Sequence, residues 1–193
     1  LDSSIGILGR IQLEGAGSKA DIVLGLDTNL MSTARNTGLF APHGTTLAGR
    51  TSLPVDFSDD VFVPFDWGHF AFVYNSETMV QPPVSMQELV DSPESLRIVI
   101  QDPRTATPGL GLLLWVKSVY GDDAPEAWAK LEPKIVTVTK GWWDAYSIFL
   151  EGEADMVLSY STSPAYHVIA ESTDKYKAAA FSEGHYMQVE VAA

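Results

Sequence analysis

Residues able to contact a ligand collect in three turns of this 193-residue chain. The first, Gln101-Asp-Pro-Arg-Thr-Ala-Thr-Pro-Gly109, sets Asp102 near Arg104 and puts the hydroxyls of Thr105 and Thr107 beside the start of an expected helix. Unpaired backbone N–H groups at such a start favour an anion; ordinary capping plus an Asp–Arg pair accounts for the same residues equally well. The second, Thr139-Lys-Gly-Trp-Trp-Asp144, has Gly141 for a tight turn and two tryptophans at a helix entrance. Adjacent helical side chains point about 100° apart, so Trp142 and Trp143 can hardly serve one core face. One suits the core and the other a cleft, as a plate for a flat or cationic ring; two buried tryptophans against different elements is an equal alternative. The third, Leu158-Ser-Tyr-Ser-Thr-Ser-Pro-Ala-Tyr166, places Tyr160 at a strand end and Tyr166 on the next helix, with Ser161, Thr162 and Ser163 as cappers by default. Asp66 and Trp67 add a carboxylate and another ring. Together these residues describe an aromatic, acidic cleft suited to a cationic aromatic, with no obvious reaction.

Catalytic constellations are poor by comparison. His43, His69, His167 and His185 show no metal-ligand spacing, and Gly-x-Ser-x-Gly, the phosphate-binding P-loop and a strand-borne Gly-x-Gly-x-x-Gly are all absent from the sequence. The lack of cysteine removes thiol nucleophiles, thiolate zinc sites and disulfide scaffolds together. A formal net charge of −13 argues against binding a phosphate backbone, which needs clustered Lys and Arg. It suits solubility first, and a cationic ligand second. No apolar run approaches the roughly 20 residues that span a bilayer.

The elements that must hold these turns alternate between strand-like and helix-like segments. Ile5, Leu8, Ile11 and Leu13 share one side of a helical wheel, with Asp2, Ser3 and Ser4 as cap and Gly15-Ala-Gly17 as stop. Residues 20–26 read as a buried strand of the parallel type, and Asp27 at its end caps a helix over 29–35. A Gly/Pro/Thr/Ser-rich loop from His43 to Ser58 precedes two strand-like runs, Val61–Phe65 and Phe70–Tyr74, around the polar interruption 66–69. Ser85-Met-Gln-Glu88 is a capping box for a short helix. Strands at 96–100, 135–138 and 154–159 are each followed by a helix, near 108–120, 142–150 and 163–170. A further helix lies at 123–131, and two last strands fall near 177–181 and 185–191. Such alternation means an α/β fold with mostly parallel sheets flanked by helices, and ligands there bind outside the carboxyl ends of the strands. The opening without Met or signal peptide, and the apolar strand-like ending Val189–Ala193, lead to the expectation of a fragment cut from inside a fold.

At these turns the chain resembles a known family. The strings 18–27, Phe62-Val-Pro-Phe-Asp66, Phe70-Ala-Phe-Val-Tyr74, Gln101-Asp-Pro-Arg-Thr105, 107–115, Tyr120-Gly-Asp-Asp-Ala-Pro125, 136–142, Leu158-Ser-Tyr160, 162–167 and 181–186 are similar to those of the periplasmic thiamine-binding proteins of bacterial ABC importers. The resemblance implies a two-lobed periplasmic-binding-protein fold, type II-like, with an incomplete first lobe. Residues 1–70 would form part of lobe 1, 71–74 a hinge crossing strand, 75–184 lobe 2, and 185–193 the returning crossing strand. It implies a periplasmic binding component, not an enzyme, that holds thiamine or thiamine phosphates in an inter-lobe cleft and delivers them to an inner-membrane ABC permease. No cofactor, metal, nucleic acid or membrane insertion is implied. By position, Trp142, Tyr160 and Tyr166 match aromatic ligand contacts. Asp102, Thr105 and Thr107 lie in the stretch that faces the phosphate side, with Gly141, Asp66, Trp67 and Asp27 completing the candidate set. Two departures are Ala106, where a hydroxyl is expected, and Ser3, where a carboxylate is expected. A related binding protein for ferric iron or a polyamine, and a thiamine-related enzyme on the same fold, are the alternatives; the latter lacks a cysteine nucleophile.

Overall fold

The computed structural model describes residues 3–46 and 52–193; the cap assigned to Asp2 and part of the loop from His43 to Ser58 (residues 47–51) lie outside the described residues. The chain divides into two units, Leu1–Trp67 with Gln188–Ala193, and Gly68–Met187.

In the first unit, α1 (Ser4–Glu14) starts where Ser3 Oγ accepts the Gly6 N–H at 3.1 Å. Its inner face is Leu8 and Ile11. Leu13, assigned to that face from the wheel, is 88% exposed, because at about 100° per residue it points nearly opposite Ile11. Strand β1 (Leu24–Asp27) is shorter than the 20–26 run and pairs antiparallel with the last strand, β7 (Met187–Ala192), with Asp27 opposite Glu190. Ile22 and Leu24 are exposed, so this run is not the fully buried parallel strand its composition indicates. The helix α2 (Met31–Asn36) follows, and Arg35 pairs with Asp59 and Asp60 while lying 5.3 Å over the Phe62 ring.

The two runs expected around residues 66–69 are one continuous strand, β2 (Val63–Asn75). An extended backbone carries polar, exposed side chains without breaking: Phe70 N–H still donates to Tyr186 O at 3.0 Å, and His69 O accepts from Ser161 N–H at 2.9 Å. The chain passes between the units at Trp67–Gly68 and Met187–Gln188. In the stretch 71–74, Ala71, Phe72 and Val73 are fully buried and paired with β5 (Met156–Tyr160).

The second unit is built on β2, β5, β3 (Ile98–Gln101) and β4 (Ile135–Thr139), hydrogen-bonded in that order, with β6 (Tyr176–Ala178) also on β2. Parallel pairing joins β3 to β4 and to β5, while β2 runs antiparallel to β5 and β6, so the sheet is mixed. One face packs α3 (Met86–Asp91), α4 (Thr107–Tyr120) and α5 (Ala124–Leu131) around Phe70, Phe72, Leu89, Leu112, Trp115 and Leu158. The capping box opens α3 with Glu88 N–H on Ser85 Oγ at 3.0 Å, and the Glu88 carboxylate reaches the Val84 N–H. Helix α4 lies close to the sheet because of two glycines: a Cβ at Gly109 would sit 2.3 Å from Gln101 O, and one at Gly111 2.2 Å from the Phe70 ring. The other face packs α6 (Trp142–Leu150) and α7 (Ser163–Glu171), through Tyr146, Phe149, Val157 and Tyr176. Among the described residues no helix is long and apolar enough to cross a membrane.

Candidate functional site

The parallel order β5–β3–β4 brings the carboxyl ends of three strands to one edge of the second unit, each followed there by a turn into a helix. Open α/β sheets bind ligands at such edges. The turns are tied together: Asp102 N–H donates to Thr139 O (2.9 Å), Thr105 Oγ1 to Lys140 O (2.8 Å), and the buried Gln101 side chain to Leu158 O (3.0 Å).

In the first turn Arg104 grips the Asp102 carboxylate, with Nε–Oδ1 at 2.9 Å and Nη2–Oδ2 at 2.6 Å, and its backbone N–H donates to Oδ1 at 2.8 Å. Hydrogen bonds from the Arg104 side chain, then from its N–H, hold the Asp102 carboxyl down to about 2. Asp102 is therefore engaged in shaping the turn. Ala106 is the buried N-cap of α4 and has no side-chain cap; Thr107 follows at 5% exposure. Gly141 precedes α6 with φ −130° and ψ 163°, an extended conformation open to any residue, so the bend at residues 140–141 does not draw on glycine's conformational freedom.

Neither tryptophan of α6 is fully buried. Trp142 is half-buried, its ring 5.1 Å from Tyr146, and its Nε1–H donates to Ser159 Oγ at 2.8 Å; Trp143 is 60% exposed. Ser159 Oγ lies 2.7 Å from Ser163 Oγ, which also accepts the Tyr160 N–H at 3.3 Å. Tyr160 is half-buried against Phe70, with ring centres 5.3 Å apart, and Tyr166 is 64% exposed on the first turn of α7. Behind this aromatic edge runs a relay from the interior to an exposed carboxylate: Tyr146 Oη is 2.9 Å from His167 Nε2, and His167 Nδ1 is 2.6 Å from Glu171 Oε2. Burial first, then the neighbouring Tyr176 and Glu171, pushes the Tyr146 phenol up to about 12. Sequence reasoning missed this relay, although His167 and Glu171 stand four apart on one helix, the spacing at which side chains meet. Ser159 was missed for a plainer reason: nothing local marks a strand serine as an indole's partner.

The remaining candidates lie in the first unit. Asp27 is fully buried, its Oδ1 accepting the Asn29 N–H at 2.8 Å, and burial raises its carboxyl above the ordinary range. Glu190 is raised too, by burial first and then by Asp66 and Asp27. Asp66 Oδ1 accepts the Trp67 N–H at 2.7 Å, and the Trp67 indole, 39% exposed, donates to Ser52 O at 3.0 Å. Among the described residues no group of three or more His, Cys, Asp or Glu side chains is placed to hold a metal ion.

Solved structures that share this fold include periplasmic and ferric binding proteins. A ferric binding protein from Campylobacter jejuni superposes with TM-score 0.77 over 98% of this chain and 64% of its own, at 18% identity, a likeness of fold alone. The chain belongs to the bacterial extracellular solute-binding protein family, whose model matches residues 9–187, a family of binding proteins rather than enzymes. It is 58% identical over 193 residues to the thiamine-binding periplasmic protein of Escherichia coli strain K12, and 57% identical over 189 residues to that of Brucella abortus. A solved periplasmic thiamin binding protein superposes on all of it with TM-score 0.96 at 58% identity. The chain covers 59% and 56% of those two relatives and 60% of the solved chain, so it spans about three-fifths of their length.

Proposed function

We propose that this chain is the greater part of a periplasmic thiamine-binding protein, which takes up thiamine or its phosphates and hands them to an inner-membrane ABC permease. The single observation that carries the reading is the aromatic edge at the carboxyl ends of β3, β4 and β5. There Trp142 is fixed by its indole hydrogen bond and Tyr160 and Tyr166 flank the next turn, in a chain 58% identical to a thiamine-binding relative. A thiazolium cation gains roughly 0.5–2 kcal/mol from each aromatic face it meets. The turn at 102–107 with the N-terminus of α4 supplies the anion side for a phosphate. Binding itself is the function: no cofactor and no reaction is required, and ligand favours whichever conformation it binds more tightly.

The test is a tryptophan-fluorescence titration of the 193-residue chain with thiamine, thiamine monophosphate and a neutral pyrimidine. Saturable quenching by the first two, reduced at least tenfold in affinity by Trp142→Ala, is the expected outcome. Equal responses to all three compounds, or none from a folded sample, would count against it.

A further inference from the structure

Tyr146, His167 and Glu171 join α6 to α7 through hydrogen bonds whose direction is fixed by burial. An ionised carboxylate can only accept, so the 2.6 Å contact with Glu171 Oε2 puts a proton on His167 Nδ1. At the other end of the ring, Nε2 lies 2.9 Å from Tyr146 Oη. Tyr146 is 3% exposed and His167 2%, and among the described residues the phenol has no other hydrogen-bond partner. A second ring proton, on Nε2, would strand the phenol proton in the interior, where an unmade hydrogen bond is costly. A phenol pushed up to about 12 keeps its proton, so it donates and a bare Nε2 accepts. His167 is thus the neutral imidazole with its proton on Nδ1.

Each end of this link carries one plate of the aromatic edge. Trp142 rests on the Tyr146 ring, with centres 5.1 Å apart and 29° between the planes. Tyr166 meets the His167 ring edge-on, at 5.6 Å and 80°. From this we infer that His167 is a positioning residue: through its bond to Tyr146 it holds Trp142 on α6 and Tyr166 on α7 at one spacing. Tyr146 and His167 are buried and act on a ligand only through the two rings they support. Tyr176 packs on the imidazole at 4.3 Å and fixes its plane from the β6 side. The Trp142 bond to Ser159 does not serve this purpose, because it anchors the indole to β5 and leaves Tyr166 untouched. Plates already set at a fixed spacing take a flat ring without first ordering two side chains. The inference deepens the thiamine reading and rests on it for the identity of that ring.

The experiment titrates thiamine into the 193-residue chain and into its Tyr146→Phe, His167→Gln and His167→Asn variants. Tyr146→Phe deletes one oxygen and keeps the packed ring. Gln places an amide oxygen where Nε2 accepts the phenol proton, whereas Asn places its amide near Nδ1 and leaves the phenol unpaired. Tyr146→Phe and His167→Asn are each expected to weaken thiamine about three- to tenfold, the cost of ordering the freed side chains on binding. Combining the two is expected to lose no more than either alone, since both break one link, and His167→Gln is expected to bind as the unsubstituted chain does. Equal losses in the Gln and Asn variants, or additive losses in the double variant, would make His167 a mere filler of the core and overturn the proposal, as would no loss at all. A ligand-free arm reads each variant at the far plate. The Tyr166 ring resonances move in Tyr146→Phe, and the Trp142 indole proton resonance moves in His167→Asn but not in His167→Gln. Unmoved far resonances overturn the positioning role. Far resonances that move, in a chain that does not bind thiamine, keep that role and overturn the ligand assignment alone.

Discussion

Asp102 carries a full charge that is already committed, and this sets what the first turn can offer a ligand. Its carboxylate receives the Arg104 side chain at two positions and the Arg104 backbone N–H at a third. The open contribution of the turn is then backbone N–H at the start of α4, not a free negative charge. The consequence is measurable: with Arg104 in place Asp102 titrates at about 2, and Arg104→Gln returns it toward the ordinary aspartate value of about 4. Carboxyl 13C shifts followed against pH read this directly. A carboxyl that still titrates near 2 in the variant would assign the shift to the backbone alone. A depressed carboxylate favours the folded chain above its unfolded value, and that contribution fades as pH falls toward 2. The pair itself was legible from the sequence, since Asp and Arg two apart across a proline-containing turn have few other partners. The Thr105 hydroxyl was not, because its acceptor, Lys140 O, lies 35 residues away.

Elements with strong local signals are those the sequence locates best. Helix α6 occupies Trp142–Leu150 and α7 begins at Ser163, each where a turn residue meets an apolar helical period. Strand β2 shows the opposite: its continuity through Asp66–His69 comes from pairing with distant backbone, which no local pattern records. The strand read over 20–26 fails similarly. Its burial was inferred from composition, whereas the strand itself is Leu24–Asp27 against β7, continued by Val23, which exchanges both backbone hydrogen bonds with Ala193. That short antiparallel pair sets two carboxylates, Asp27 and Glu190, directly opposite, an arrangement that destabilises like charges. Both carboxyls are raised, Asp27 by burial and Glu190 by burial, then Asp66 and Asp27. The folded chain therefore keeps protons that the unfolded chain has lost, and stability falls as pH rises from about 4 through the raised values. Asp27→Asn retains the Oδ1 acceptor for the Asn29 N–H and removes the charge. Its melting temperature at pH 7 is expected above the parent's by roughly 2–4 °C for each kcal/mol relieved, with the difference closing near pH 4. A variant less stable than the parent at pH 7 would refute the argument.

At the scale of the molecule, the apolar clusters around Phe70, Trp115 and Leu158 and around Tyr146, Phe149 and Val157 lie wholly within Gly68–Met187. So do the three joined turns and the Trp142–Ser159–Ser163 chain. The points where the backbone enters and leaves this unit are held together, with Phe70 N–H on Tyr186 O at 3.0 Å and the His185 ring 2.8 Å from Phe70 O. Among the described residues the first unit has a smaller buried set and leaves Leu13, Ile22 and Leu24 largely exposed. A domain that owns its core and closes its own ends can fold alone. Excised Gly68–Met187 is accordingly expected to unfold in one cooperative transition, with an enthalpy of roughly 80 kcal/mol by the usual per-residue scaling, and to retain the near-ultraviolet circular dichroism of its packed tryptophans. On the proposed thiamine reading this fragment still responds to thiamine, since Trp142, Tyr160 and Tyr166 all lie within it. A fragment with helical far-ultraviolet signal but no near-ultraviolet bands or heat-absorption peak would show that the packing of these clusters depends on the first unit. The independence read from their composition would then be wrong.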